Sequence, residues 1–116
     1  MTLPTIDIHG KQYVMVKDRI IAFNEMYEAG SITADVVSAE GGVVVIKATV
    51  TPDTSKPERV FTGISASNPT KAIEKVSPYE VAETSAVGRA LAMMGIGIVD
   101  GVASGDEIIK AKSFDI

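Results

Sequence analysis

The chain has 116 residues, 46% of them hydrophobic, with no Cys, no Trp and a net charge of −4 from 11 basic and 15 acidic residues. A chain of this length closes one core, so residues 1–116 are expected to form a single domain, and the lack of cysteine excludes a disulfide framework and a thiolate metal site. No apolar run reaches the roughly 20 residues that span a bilayer and "MTLPTIDIHGKQ" lacks the basic-then-apolar layout of a signal peptide, so the expected setting is cytoplasmic, without a membrane partner.

"KQYVMV", Lys11 to Val16, is short and rich in β-formers and predicts a strand. Ile20, Phe23 and Tyr27 then recur at helical spacing, and Gly30 can supply a left-handed stop, which predicts a first helix over about 17–29. From Ser31 the period becomes two, with Ile32, Ala34 and Val36 alternating before a turn at Glu40 to Gly42. "VVVIKATVT" places Val44, Ile46, Ala48 and Val50 on one face and Val45, Lys47 and Thr49 on the other. "TPDTSKPE" reads as a polar hairpin loop, and "RVFTGISAS" returns as a third strand with Val60, Ile64 and Ala66 on one face. The fold class is therefore α+β: an antiparallel three-stranded meander packed with a first helix and a long second one.

The second helix is expected over about 78–94. Ser77 and Glu80 have the spacing of a capping box, Pro78 suits the first helical position, and "GIG" from Gly95 ends the run. Val87, Ala90, Leu91 and Met94 form one stripe, widened by Ala86 and Met93, with Val81 and Ala92 nearly opposite. Such a helix needs the sheet on one side and a second surface on the other, a neighbouring subunit being one candidate. Gly88 costs roughly 1 kcal/mol against Ala, which predicts close approach of a backbone or a phosphate there. Residues 98–116 read as a partly flexible tail with at most one helical turn, fraying toward Ile116.

Catalysis finds little to work with. His9 is the sole histidine and lies in a loop; Ser85 in "ETSAVG" is no nucleophile elbow, and "GGVVVI" has neither dinucleotide nor Walker spacing. Asp106 and Glu107 are either a solvated pair or a divalent-cation site. The chain is thus expected not to be an enzyme and to need no cofactor or metal. The basic residues carry the other reading: Lys17, Arg19, Lys47, Arg59, Lys71, Lys75 and Arg89, together with Gly88, could track a phosphate backbone. Against that stands the reading of ordinary solvated charges balancing the acids, or, for Arg89, an ion pair with Glu83. Tyr13, Phe61 and Tyr79 are either stacking platforms or core.

"ETSAVGRALAMMGIG" resembles the helix signature of phage and prophage single-strand annealing proteins, in the grouping of ERF-type recombinases and the Rad fifty-two annealing protein. The resemblance spans about Tyr13 to Ile108, with its specific part at Glu83 to Gly97. It implies a homo-oligomeric ring or filament that binds single-stranded DNA through phosphates without a nucleotide cofactor. It further implies a role in annealing during phage-type recombination or replication, in the host cytoplasm if the chain is phage-encoded. Arg89 would match the basic residue of the signature and Gly88 the small residue before it; Lys47 and Arg59 would match basic strand positions in general location. The alternative function is a homo-oligomeric assembly module with no nucleic-acid role, which the acidic composition favours.

Overall fold

The computed structural model describes residues 2–112, the side chains of 72, 73, 110, 111 and 112 excepted. It opens with a hairpin of β1 (Ile6–Ile8) and β2 (Lys11–Tyr13), Ile8 lying opposite Lys11. His9 and Gly10 both have positive φ, the backbone that a two-residue hairpin turn requires. Only the first half of the strand expected over Lys11 to Val16 forms. Its partner lies in the opening segment, where His-Gly stands in for the usual Asn-Gly turn signal.

Helix α1 (Val16–Met26) stops short of residue 29, because Tyr27 leaves helical geometry and its ring stacks on Phe23, centroids 5.2 Å apart. The meander follows as β3 (Ser31–Ser38), a 3₁₀ turn at Glu40–Gly42, β4 (Val45–Thr51) and β5 (Phe61–Ala66), in the spatial order β3-β4-β5 and antiparallel throughout. The fold is α+β, with a three-stranded antiparallel sheet and a long helix, α3 (Pro78–Met93), packed on it. The short α2 (Ala72–Val76) leads into α3. Val44, Ile46, Ala48 and Val50 face the helices and are buried, as their alternation predicts. Val36 stays in register opposite Ile46 yet is exposed on the edge strand β3, just before a bulge between Val36 and Ser38.

Val60, Ile64 and Ala66 share one face of the third strand, as expected, and that face is the open one. Ile64 is 57% exposed and Val60 is also exposed, while Gly63 is buried and Phe61 half-buried. Helix proximity is the cause. A Cβ at Gly63 would collide with the Ala86 carbonyl oxygen and lie 2.5 Å from the Ala90 nitrogen, so α3 rests on the strand backbone itself. Turning Ile64 inward would drive the two apart. Gly88 plays the matching part on the other side of α3, where a Cβ would come within 2.7 Å of Val16 Cγ2 on α1. The second surface that α3 needs is therefore α1 of the same chain, and the helix by itself calls for no neighbouring subunit. Both helices lie on one sheet face, leaving the other open in a body 43 × 37 × 16 Å.

The ends of α3 differ in how far they follow expectation. Ser77 occupies the N-cap position without a side-chain cap hydrogen bond, so the predicted capping box is not made. Glu80 and Glu83, placed by periodicity on the core-facing stripe, are exposed. At the C-terminus Gly95 and Gly97 both have positive φ, and the Ile96 amide donates to the Leu91 carbonyl at 3.1 Å, closing the helix as predicted. The tail is more ordered than expected: Gly105–Lys112 forms α4. The fraying expected toward Ile116 falls on residues 113–116, outside the described residues. No helix among the described residues is long and apolar enough to cross a membrane.

Arg19, on α1, is fully buried and fastens the segment between α3 and α4. Its Nη1 donates to the Gly88 carbonyl at 2.9 Å, and Nη2 reaches the carbonyls of Gly97, Val102 and Ala103 at 3.2, 3.1 and 3.5 Å. Burial pulls the guanidinium down from its ordinary pKa, while the charges of Glu107 and Asp106 pull it back up. Gly97 has to be glycine on two counts: its positive φ, and an Arg19 Nε that would lie 2.7 Å from any Cβ.

This packing can be tested by substitution. Gly63→Ala is expected to lower the unfolding free energy by about 1–3 kcal/mol in urea denaturation, because neither helix nor strand backbone can yield cheaply. Gly88→Ala should destabilise the native chain, yet when introduced into Val16→Ala it should stabilise by up to about 1 kcal/mol, the clash being gone and helix propensity gained. Arg19→Met, similar in length but without donors, should cost at least about 2 kcal/mol by orphaning buried carbonyls. A loss within about 0.5 kcal/mol, typical of exposed side chains, would contradict the role assigned to Arg19.

Candidate nucleic-acid interface

β5 is an edge strand, so one side of its backbone is not used in the sheet. Along this edge a groove of about 460 Å³ is lined by Ile64, Ser65, Ala66 and Asn68, by Lys71 and Glu74 beside α2, and by Arg89 and Glu107 from α3 and α4. Asn68 builds the turn into α2: its side-chain oxygen accepts from the Thr70 amide at 3.0 Å and hydroxyl at 2.6 Å. The Asn68 amide in turn donates to Glu74 Oε1 at 3.1 Å. The groove thus has a rigid floor of strand and capped turn.

Two further cations lie along the same strand. Lys47 is exposed on the open sheet face and stands directly across from Ile64, itself part of the groove. Asp35 is its cross-strand neighbour on the other side. Arg59 is exposed just before β5, its guanidinium 5.0 Å from the Phe61 ring centroid. Arg59 lies five residues before Ile64, where the groove begins, roughly 16 Å at about 3.3 Å per residue. Lys47 stands level with Ile64, so that cations lie at the start of β5 and beside its second half.

Of the eight residues singled out from sequence, Lys71 and Arg89 line one groove, Lys47 stands across from its Ile64, and Arg59 lies at the far end of β5. Lys17 and Lys75 are exposed on α1 and α2, and the described lining of the groove includes neither. Arg19 and Gly88 are corrected: both are buried, one bonded to four carbonyls and the other pressed on Val16, so neither offers a surface to a ligand. Arg89 does pair with an acid, but with Glu107 rather than Glu83; the distance is 2.9 Å and the arginine side chain stays 52% exposed. Its Glu107 partner is nearly buried, so the guanidinium is open to solvent on one side and engaged by a carboxylate on the other. Tyr79 is exposed, while Tyr13 and Phe61 are half-buried.

Asp106 and Glu107 hold positions that sequence reasoning missed. Asp106 Oδ1 accepts the Val16 amide at 2.7 Å and so caps α1 from the far end of the chain. Glu107 faces Ser104, whose Oγ accepts the Glu107 amide at 3.2 Å and whose own amide donates to Glu107 Oε1 at 3.4 Å. That is a capping box, legible as Ser104-x-x-Glu107 before the apolar pair Ile108 and Ile109. The long-range partners Val16 and Arg89 left no local signal.

The meander flanked by α1 and α3 is the portion that a family model recognises. The Slr1353 N-terminal dsRNA-binding domain-like family matches residues 20–94, well over half of the chain. No curated protein and no solved structure matches. The match overturns the resemblance to ERF-type and Rad fifty-two annealing proteins: "ETSAVGRALAMMGIG" is accounted for by packing, with Gly88 against Val16 and "GIG" around Arg19, and needs no annealing role. The ring or filament implied by that resemblance loses its basis with it. By this match the chain belongs to the Slr1353 N-terminal dsRNA-binding domain-like family.

Proposed function

We propose that this chain binds single-stranded nucleic acid through backbone phosphates, along β5, as a binding protein rather than an enzyme. The family description supports nucleic-acid binding in general. The observation that carries the finer reading is the alignment of Arg59, Lys47, Arg89 and Lys71 along one strand edge and the open sheet face beside it. Each neutralised phosphate releases counterions, so four cations suffice for binding despite a net charge of −4.

Charge placement favours a single strand over a duplex. Duplex RNA is bound by shape across two successive minor grooves, which requires a broad basic surface. Here the cations make a track one strand wide. The first turns of α3, where a helix dipole would otherwise attract a phosphate, carry exposed Glu80 and Glu83, and the β3–β4 turn carries Glu40. A strand held by its phosphates keeps its base edges free to pair, and annealing of complementary strands in the cytoplasm is the most specific form of this proposal.

Fluorescence anisotropy with labelled oligonucleotides at several salt concentrations tests it. Log affinity for a single strand should fall against log salt with a slope of about −3, four phosphates at about 0.7 each. Single-stranded RNA and DNA of one length should bind about equally, since phosphates do not report the 2′-hydroxyl. Lys47→Ala should weaken binding and flatten the slope by about 0.7. Tighter binding to duplex RNA than to either single strand would overturn the single-strand reading, and no salt-dependent binding at all would favour an assembly module instead.

A further inference from the structure

Glu107 is aimed into the groove by the fold, not merely present beside it. Its Oε1 is held by the Ser104 amide, which leaves Oε2 to meet Arg89 Nη2 at 2.9 Å. The Glu107 side chain is only 10% exposed, while that of Arg89 is 52% exposed, so the acid is built in and the base is accessible. A carboxylate oxygen at this distance from a guanidinium occupies the position that a phosphate oxygen would take.

The element that carries Glu107 is firmly docked: the Gly105 amide donates to the Val14 carbonyl at 3.0 Å, Asp106 takes the Val16 amide at 2.7 Å, and Asp100, in the preceding loop, takes the Gln12 amide at 2.7 Å. Ser104 is fully buried, and Gly105 lies close to Met15 and Ile6. The Glu107 carboxylate is held less tightly, by one amide at 3.4 Å and by Arg89, and it can swing out of the groove at modest cost because both contacts can be exchanged for water or another anion.

Resting on the nucleic-acid reading above, we propose that Glu107 is an autoinhibitory residue: its carboxylate occupies the phosphate site of Arg89, and a bound strand must displace it. Nucleic acid then competes with an internal carboxylate at one end of the cation track, and displacing that carboxylate costs affinity without changing the number of phosphate contacts.

Glu107→Gln isolates the competing charge, since glutamine also serves in a capping box and keeps α4 in place. Anisotropy titration of the full chain with a single-stranded oligonucleotide should show affinity raised on the order of 5-fold at low salt, with the salt slope staying near the four-phosphate value of about −3. The gain should vanish in the Arg89→Ala background, where Glu107→Gln and Glu107 bind alike. If Glu107→Gln leaves affinity unchanged while Arg89→Ala weakens binding, the autoinhibitory role is wrong and the phosphate track stands. If no variant binds the oligonucleotide, both fall together. Retained secondary structure in circular dichroism and an unchanged thermal midpoint show that Glu107→Gln acts on the site rather than on the fold.

Discussion

The architecture depends on α3 lying in backbone contact with its neighbours on two sides. At Gly63 the helix rests on β5, and at Gly88 Val16 of α1 rests on the helix. Ala82, Ala86 and Ala90 keep the remaining helix surface small, and each is fully buried. Without side chains to hold them apart, the layers gain dense packing at the cost of tolerance: an added methyl has nowhere to go. The orientation of β5 follows, with Ile64 and Ala66 turned to the open face. The groove beside that strand, where Arg89 and Glu107 meet, exists because the helix lies so close.

A second consequence concerns charge inside the fold. Arg19 is where α1, α3 and the segment from Gly97 to Ala103 converge, and its fork of donors satisfies carbonyls that an irregular segment would otherwise leave orphaned. Asp106 and Glu107 supply the nearest compensating fields. The same two acids cap α1 and bind Arg89, so the C-terminal helix serves the buried cation, the first helix and the groove at once. Long-range polar contacts, together with the burial of Ser104 and Gly105, thus help to order this segment.

Surface charge is organised differently. An acidic chain offers anions a path only where its cations are segregated from its acids, and β5 achieves this in part: Arg59 and Lys47 project along it, while Glu80, Glu83 and Glu40 lie on α3 and on the far turn of the meander. The segregation is incomplete: Asp35 lies across from Lys47, Glu74 lines the groove with Lys71, and Glu107 meets Arg89. Of these, Asp35 is an exposed cross-strand neighbour, whereas Glu107 is held in position by its own capping bonds.

The meander, the burial of Val44, Ile46, Ala48 and Val50, the start of α3 at Pro78 and its stop at Gly95 all depend on local chemistry, namely strand alternation, fixed proline φ and glycine's left-handed freedom, and each was readable from consecutive residues. The Ser104–Glu107 capping box was readable on the same grounds, although the glycine-rich surroundings disguised it as a loop. What the sequence could not determine is which glycine marks a contact and which basic residue a surface. Gly88 and Arg89 are adjacent, yet one is buried against Val16 and the other faces a groove. Arg19 has the composition of a phosphate ligand and the position of a core residue. Those outcomes depend on which elements approach each other and how closely, a matter of tertiary packing between residues 69 to 90 positions apart in the chain, for which no local pattern exists.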